Sequence, residues 1–260
     1  MAVEDPASPG APDQSPPDAA PIALVIPAWD EAESIGAVLS EVPLGLASWV
    51  FVVCGGSQDP TAAIAAAHGA RVLRQLTPGY GAACWLGTRA AAAAGAQIIA
   101  FLDGDYSDPP GDLSRVLAPL LAGRADLVLG CRAMTAHPGA LPLHARLGNQ
   151  LVLRLLGLLL GQRPRDLPSF KAIRGDCLTR LEMSEMTYGW TIELVAKAVR
   201  AGLRIAEVSI PYRPRLGGRS KVSGTARGTL GAAWKLCSCA IRYARWSPAS
   251  AGAGVPPVAA

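Results

Sequence analysis

Short apolar runs alternate with amphipathic segments along the first half of the chain. Runs of this kind predict strands buried on both faces, and they fall at 22–26, 49–53, 71–73, 98–102 and 126–130. Between them, apolar residues recur at helical spacing, for example at Ile35, Val38, Leu39 and Val42. Alternation of strand and helix is typical of an α/β fold. We therefore expect a single domain with a mostly parallel central sheet and helices on both faces.

The second half is less regular. Residues 147–161 are strongly apolar but include Arg154, and the segment is shorter than the roughly 20 residues that cross a bilayer. It predicts a core helix or a helix that lies on a membrane surface. Beyond it, the pattern predicts a helix over 187–201, a strand over 203–212 and a final helix over 224–246.

The final predicted helix combines basic and apolar residues. On a helical wheel its basic groups share an arc of roughly 80°, and they are Arg227, Lys235, Arg242 and Arg245. The large apolar residues lie mostly outside that arc, and they are Leu230, Trp234, Leu236, Cys237, Ile241 and Trp246. Two interpretations remain open. The helix lies on anionic lipid, or it packs on the domain and leaves its basic face in water.

Composition narrows the class of protein. Half of the 260 residues are hydrophobic and the mean hydropathy is +0.27, which provides a sizeable core. The net charge is only +4, with the basic residues crowded in the C-terminal third, so an anionic partner is expected there. The six cysteines show no zinc-binding spacing and are expected to be reduced, buried thiols of a cytosolic protein.

The two ends of the chain are rich in proline and alanine. Residues 1–20 carry no signal-peptide pattern, and both 1–20 and 247–260 are expected to be disordered tails. The expected domain then spans 21–224, followed by the amphipathic basic helix at 225–246.

An acidic turn follows the fourth predicted strand. The sequence IIAFLDGDYSDPP places Asp103 and Asp105 on either side of Gly104, just before Pro109 and Pro110. Open α/β sheets bind ligands at the carboxyl ends of their strands, and two neighbouring carboxylates repel unless a positive group lies between them. A hard divalent cation is the natural partner. The alternative is that both residues cap the next helix and a turn.

Several separated pieces together resemble the family 2 glycosyltransferases of the GT-A fold, and are most similar to the polyprenyl- and dolichyl-phosphate sugar transferases. The resemblance covers about 22–221. Its pieces are IPAWDEAESI, VVCGGSQDPT, PGYGAACWLGTRAA, FLDGDYSDPP, DLVLGCR, RDLPSFKAIR, YGWTIELVAKAVRAGLRIAEV and PYRPRLGGRSKVSGT. It implies an inverting, metal-dependent enzyme that moves a sugar from a nucleotide-diphosphate donor to a membrane-associated acceptor, namely polyprenyl phosphate.

The resemblance also implies roles for individual residues. Nucleotide-binding residues would be Pro27, Trp29, Glu31, Gly55, Gly79, Gly81 and Asp103. Ligands of Mg²⁺ or Mn²⁺ would be Asp103, Asp105 and Ser107. The acceptor phosphate would contact Arg132, Arg146 and Ser169. A catalytic loop that closes on the diphosphate would carry Arg215, Arg219 and Lys221. If the acceptor is a hydroxyl, a carboxylate must take its proton, and the candidates are Asp166 first and Glu193 second.

The chain departs from the family at the end of the second strand. Cys54 and Gly55 replace an acidic pair, so the carboxylate that accepts a hydrogen bond from the base is missing, at a cost of about 1.5–3 kcal/mol. Asp30 could partly substitute, whereas Asp59 is expected to cap the next helix. An alternative function is therefore a transferase-like binding or scaffold protein with weak or lost catalysis.

Two other functions fit less well. A sugar nucleotidyltransferase would need a glycine-rich GxGTR start just after the first strand, whereas Leu86-Gly87-Thr88-Arg89 lies on a predicted helix. No nucleic-acid-binding motif is present. The expected partners are a nucleotide-sugar donor and a polyprenyl-phosphate or other membrane-bound acceptor, with a homodimer left open. The expected location is cytoplasmic and peripheral, on the inner face of the plasma membrane.

Overall fold

The computed structural model describes residues 20–132, 143–217 and 226–248, with backbone only for the helical residues 143–147 and 226–233. The strands are β1 Ile22–Ala28, β2 Trp49–Cys54, β3 Arg71–Arg74, β4 Ile98–Phe101, β5 Leu127–Arg132, β6 Lys171–Arg174 and β7 Ile205–Ile210. The helices are α1 Ile35–Glu41, α2 Thr61–Ala67, α3 Tyr80–Ala93, α4 Leu113–Leu121, α5 Leu143–Leu160, α6 Gly175–Arg180, α7 Trp190–Arg200 and α8 Ala226–Ala244. Residues 1–19 and 249–260 of the predicted tails lie outside the described residues, as do the loop residues Arg219 and Lys221.

All seven strands form one sheet in the order β3-β2-β1-β4-β6-β5-β7. Strand β6 runs antiparallel to both of its neighbours, β4 and β5. The other pairs are parallel. The expected α/β fold with a mostly parallel sheet is therefore confirmed.

Both faces of the sheet are covered, which explains why its strands read as continuous apolar runs. Along β1, Leu24 and Ile26 join the core that includes residues of α1 and α4. Ala23 and Val25 point the other way and join the core that includes residues of α3 and α7. Side chains of successive strand residues alternate between faces, so one short strand supplies both cores.

A third apolar cluster lies between α5, α7 and α8. Leu156, Ile192 and Ala240 are among its buried members, one from each helix. Helix α5 begins earlier than predicted and leaves Arg154 exposed. In the part of the chain that is described, no helix is both long and apolar enough to cross a membrane.

The segment that precedes α7 differs from the prediction. The helix was expected from Thr187 but begins at Trp190. The carboxylate of Glu193 accepts hydrogen bonds from the backbone N–H groups of Ser184, at 2.9 and 3.0 Å, and Glu185, at 2.7 Å. These bonds hold the preceding residues in a loop. The short helix α6 was not predicted either.

Candidate active site

A cleft of about 310 Å³ opens at the carboxyl ends of β1, β2 and β4. This is where open α/β sheets bind ligands. Eight residues of the predicted site border it, and they are Pro27, Trp29, Glu31, Gly55, Gly79, Asp103, Asp105 and Arg215. The fold therefore brings together segments that are far apart in the sequence.

The acidic turn forms the floor of this cleft. Asp105 is only 2% exposed. Its Oδ1 accepts hydrogen bonds from the backbone N–H (2.9 Å) and the hydroxyl (2.6 Å) of Ser107, and its Oδ2 lies 2.8 Å from Nη2 of Arg215. Oδ1 of Asp103 is buried and has no hydrogen-bond partner among the described residues. Burial, followed by the charges of Asp105 and Asp108, raises the pKa of Asp103 to about 7.

This geometry fits a divalent cation. An unpaired buried carboxylate oxygen is costly in a protein, and a cation in the cleft would remove that cost at Asp103. Among the described residues, no group of three or more His, Cys, Asp or Glu side chains could hold a metal. Mg²⁺ is often held by one or two carboxylates together with substrate phosphates and water, so two carboxylates suffice. The role of Ser107 as a metal ligand stays a prediction. In this structure its hydroxyl donates a hydrogen bond to Asp105.

Lys171, a buried lysine next to the acidic turn, was not predicted as part of the site. Nζ of Lys171 donates to the backbone carbonyls of Pro168 (3.1 Å) and Ser169 (3.0 Å) and to Oγ1 of Thr191 (3.1 Å). Burial lowers the pKa of Lys171. Its place on β6, which pairs with β4, puts a cationic group next to the acids. The sequence gives no signal for this pairing, since a lysine on a short strand is usually at an edge.

The segment that follows β7 crosses over the acidic turn. The backbone N–H of Arg213 donates to the carbonyl of Ser107 at 2.8 Å, and that of Leu216 donates to the carbonyl of Asp105 at 3.3 Å. These bonds place the guanidinium of Arg215 at the cleft, between Asp105 and the carboxylate of Glu31, 3.6 Å away. Arg215 is thus where the resemblance predicts a group that binds the diphosphate.

The two glycines at the start of α3 have a packing role. Gly79 has φ +139°, and a Cβ there would lie 2.2 Å from the carbonyl oxygen of Met186. A Cβ at Gly81 would lie 2.1 Å from the carbonyl oxygen of Glu185. Gly79 borders the cleft, whereas Gly81 does not. The nucleotide contact of Gly81 therefore stays a prediction, and the structure gives this glycine a packing role. Gly81 lets α3 approach the loop that carries Thr187, and the carbonyl of Thr187 accepts the N–H of Gly81.

The predicted acceptor site lies beside the cleft. The hydroxyl of Ser169 donates to Oδ2 of Asp108 at 2.6 Å, and burial raises the pKa of Asp108 to about 6. The guanidinium of Arg132 lies 5.3 Å from the ring centre of Tyr212. The side chain of Arg146 lies outside the described residues. Arg132 and Ser169 do not border the donor cleft.

Both candidate bases are held by other groups. Asp166 accepts hydrogen bonds from Nε (2.7 Å) and Nη2 (2.6 Å) of Arg132 and from Nδ2 of Asn149 (3.0 Å). Burial acts to raise its pKa, but Arg132 outweighs burial and the pKa is lowered. A lowered pKa makes a weaker base, so the structure favours Asp166 as the partner that orients Arg132. Glu193 is fully buried and paired with Lys197 at 2.8 Å.

The substituted end of β2 is filled by a neighbouring side chain. Asp59 contacts the start of α2, where its Oδ1 accepts the N–H of Thr61 at 3.1 Å, but the N-cap residue is Pro60. Asp30 does not border the cleft, and its Oδ1 accepts the N–H of Gln58. Its predicted substitution for the missing base-binding carboxylate is therefore corrected. Gln75 lies over Gly55 instead.

Several residues that border the cleft were missed. They include Gln75, Pro78, Tyr80, Thr187 and Tyr188. Pro78, Tyr80 and Tyr188 lie in pieces that carry the family resemblance but were assigned no role there, whereas Gln75 and Thr187 lie outside those pieces. Only the packing of α3 against the loop before α7 brings them to the cleft.

Comparison with known proteins places the chain in a family. A model described as glycosyl transferase family 2 matches residues 23–164. An uncharacterized glycosyltransferase of Mycobacterium tuberculosis is 37% identical over 84% of this chain and 98% of its own. A dolichyl-phosphate hexose transferase of Haloferax volcanii is 34% identical over 75% of this chain and 84% of its own.

A solved structure shares the architecture. Glucosyl-3-phosphoglycerate synthase from M. tuberculosis, in complex with Mn²⁺, UDP-glucose and phosphoglyceric acid, gives a TM-score of 0.68 at 26% identity, covering 88% of this chain and 81% of that one. The sheet described above has the GT-A fold. The chain therefore belongs to glycosyl transferase family 2.

Proposed function

We propose that this glycosyltransferase moves a sugar, with inversion, from a nucleoside-diphosphate donor to polyprenyl phosphate at a membrane, and that it needs Mg²⁺ or Mn²⁺. One observation carries the proposal. Asp103 and Asp105 lie at the floor of a cleft, with Oδ1 of Asp103 unpaired among the described residues and Arg215 on Asp105. Two acids and one guanidinium around a cleft suit a metal-bound diphosphate.

The donor would lie along the cleft from base to diphosphate. Pro27 and Trp29 border one end, where the indole of Trp29 offers a face for a base to stack on. Arg215 would exchange its contact with Asp105 for the diphosphate, since arginine binds phosphate oxygens in pairs. A bound divalent cation would neutralise charge that develops on the diphosphate as it leaves.

The acceptor phosphate would bind next to the acidic turn. Nε and Nη2 of Arg132 are held by Asp166, which leaves Nη1 without a hydrogen-bond partner among the described residues. The hydroxyl of Ser169 would exchange its hydrogen bond to Asp108 for one to the phosphate. A phosphate oxygen would form the bond to the anomeric carbon while the bond to the diphosphate breaks. A phosphate with a second pKa near 6 is already anionic, so no proton acceptor is needed.

The neighbouring helices α5 and α8 support a membrane-bound acceptor. Leu158 on α5 is 84% exposed and Trp234 on α8 is 79% exposed. On a helical wheel, Trp234, Ile241 and Arg245 fall within about 40° of one another. An apolar and basic stripe is suited to the anionic inner leaflet of the plasma membrane. This stripe supports the proposed cytoplasmic, peripheral location.

Relatives point to two classes of acceptor. The H. volcanii relative is named for a dolichyl-phosphate acceptor, whereas the M. tuberculosis structure contains phosphoglyceric acid. Both acceptors present a phosphate. The exposed apolar residues of α5 and α8 favour the lipid acceptor for this chain.

A donor and acceptor panel tests the proposal. UDP- and GDP-sugars are incubated with short polyprenyl phosphates and Mn²⁺, and the lipid product is identified by mass spectrometry, with its anomeric configuration determined by NMR. We expect one donor to give an inverted lipid-phosphate sugar, and a chelator to abolish it. Transfer to 3-phosphoglycerate alone would contradict the lipid acceptor.

Binding is measured separately from turnover. A nucleoside diphosphate and Mn²⁺ together should raise the melting temperature. If they do so but no donor yields product, the scaffold alternative is correct. If no nucleotide has any effect on the melting temperature, the proposed function is wrong.

A further inference from the structure

We propose that Gln75 reads the nucleobase of the donor through its side-chain oxygen Oε1, and that it selects bases that carry a ring N–H, such as uracil and guanine. This inference rests on the proposed function, because it assigns a role within nucleotide-sugar binding. It names the class of donor base, which the sequence did not reveal.

The backbone places Gln75 at the base end of the cleft. It follows β3 directly, and its N–H donates to the carbonyl of Cys54 at 3.0 Å. Its side chain borders the cleft beside Gly55, and Pro27 and Trp29 border the same cleft. A base bound beside Gly55, at the end of β2, would therefore present an edge towards Gln75.

The hydrogen bonds of the amide fix which atom faces the base. Nε2 of Gln75 donates to the carbonyl oxygens of Gly79, at 2.8 Å, and Thr77. Only the nitrogen end of an amide can serve two carbonyl acceptors, and these bonds use both of its hydrogens. Oε1 accepts no hydrogen bond from the described residues. Gln75 thus offers the cleft an acceptor and no donor.

Gly55 leaves room for this acceptor. A Cβ added at Gly55 would lie 2.9 Å from Oε1 of Gln75, closer than real contacts of this kind. Oε1 therefore occupies the space into which a side chain at position 55 would project. A side chain at position 55 and the Gln75 amide in its present position would therefore exclude each other.

A lone acceptor discriminates between bases. Uracil carries N3–H and guanine carries N1–H, and either group can donate to Oε1. Cytosine and adenine carry a lone pair at the corresponding ring nitrogen. In the same position they would lose the hydrogen bond and bring two acceptors face to face, which lowers their affinity.

The test is calorimetric titration of the full chain with UDP, GDP, CDP and ADP, each with Mn²⁺. We expect UDP or GDP to bind at least about tenfold more tightly than CDP and ADP. Gln75→Met keeps the length of the side chain and removes the acceptor, so this ratio should fall about three- to tenfold. Gln97→Met, at an exposed position before β4, is the control and should leave the ratio unchanged.

A second pair of variants keeps the test valid if Gln75→Met is poorly folded. Gln75→Ala should lose the base preference, and Gln75→Ala with Gly55→Asp should regain it, because the new carboxylate projects into the space of Oε1. An unchanged ratio in both Gln75 variants, or a parent that prefers CDP or ADP, overturns the role of Gln75 alone. A parent that binds none of the four nucleotides overturns the proposed function as well.

Discussion

The two carboxylate oxygens of Asp105 have different partners. Oδ1 is held by Ser107, which fixes the rotamer, and Oδ2 faces Arg215. Asp103 lies beside it with Oδ1 unpaired among the described residues. Burying two acids so close together destabilises the fold unless a ligand compensates. Such a cost at a cleft is typical of a functional site.

Replacing Asp105 tests this assignment. We expect Asp105→Asn to lower the rate of sugar transfer by about 100-fold or more, because it removes a charge that would hold the proposed cation against the diphosphate. The increase in melting temperature with Mn²⁺ and nucleoside diphosphate should also disappear. Asp176→Asn, at a side chain that is 60% exposed, is the matched control. A variant as active as the parent would remove Asp105 from the site.

Gly81 tests the packing of α3 on the loop that follows Glu185. A Cβ at this position would meet the carbonyl oxygen of Glu185 at 2.1 Å, and backbone cannot move aside cheaply. We expect Gly81→Ala to lower the free energy of unfolding by about 1–3 kcal/mol, measured by urea denaturation. It should also weaken nucleotide binding, since Thr187 and Tyr188 border the cleft.

Gly148 provides the control for this prediction. It lies on α5, and a Cβ there would have nothing within 4 Å. Gly148→Ala should raise the free energy of unfolding by about 0.5–1 kcal/mol, because alanine loses less entropy in a helix. If the two variants changed stability equally, the close approach of α3 would be ruled out as a constraint.

At the scale of elements, an ion pair joins the starts of β5 and β7. Asp126 accepts hydrogen bonds from Nε (3.0 Å), Nη2 (2.7 Å) and the backbone N–H (3.0 Å) of Arg204. These bonds lower the pKa of Asp126 to about 2, whereas an unfolded aspartate has a pKa of about 3.9. The stabilisation is therefore complete above about pH 4 and is lost as the pH falls towards 2.

This pH dependence is measurable by difference. The free energies of unfolding of the parent and Asp126→Asn are compared in urea from pH 7 to pH 3. The parent should be more stable by a constant amount above about pH 5, and the gap should shrink below pH 4. Asp112→Asn, in an exposed pair with Arg115, should differ from the parent by less than about 1 kcal/mol. A gap that widened on acidification would contradict the assignment.

Local patterns were sufficient where one element carries its own signal. The strands are continuous apolar runs, and the acidic turn follows β4 in the sequence, so both were predicted. Lys171 was missed because its partners lie on other elements. It can be buried because β6 pairs with β4, the strand that the acidic turn follows. The start of α7 was wrong because Glu193 binds the backbone of Ser184 and holds a loop that would otherwise suit a helix.

The same reason explains why only part of the cleft lining was predicted. Trp29, Asp103 and Arg215 lie in motifs, whereas Gln75 lies in none and is brought in by tertiary packing alone. The final helix packs on the domain, which is one of the two interpretations of its sequence. Its buried side, which includes Cys239 and Tyr243, packs on the domain. Its outer side leaves large apolar residues exposed, and only the whole molecule determines what they meet.

For the whole molecule, the proposed attachment to a membrane would depend on this outer side of α8. Trp234 is 79% exposed, and burying it in the lipid interface should contribute about 1.5 kcal/mol or more. We expect Trp234→Ser to weaken binding to anionic vesicles about tenfold, measured by cosedimentation. Added salt should weaken binding of the parent, because basic residues beside Trp234 meet charged lipid.

Leu44 supplies a matched control for Trp234, since it is a fully exposed apolar residue in the loop after α1, away from α5 and α8. Leu44→Ser should bind vesicles as the parent does, because a generally hydrophobic surface is not what the membrane contacts. Equal loss in both variants would indicate nonspecific adsorption, and no loss in Trp234→Ser would exclude α8 from the contact. Transfer to a soluble phosphorylated acceptor should be unaffected by either substitution. Transfer to polyprenyl phosphate in vesicles should fall with Trp234→Ser alone, because the helix acts by bringing the cleft to the lipid.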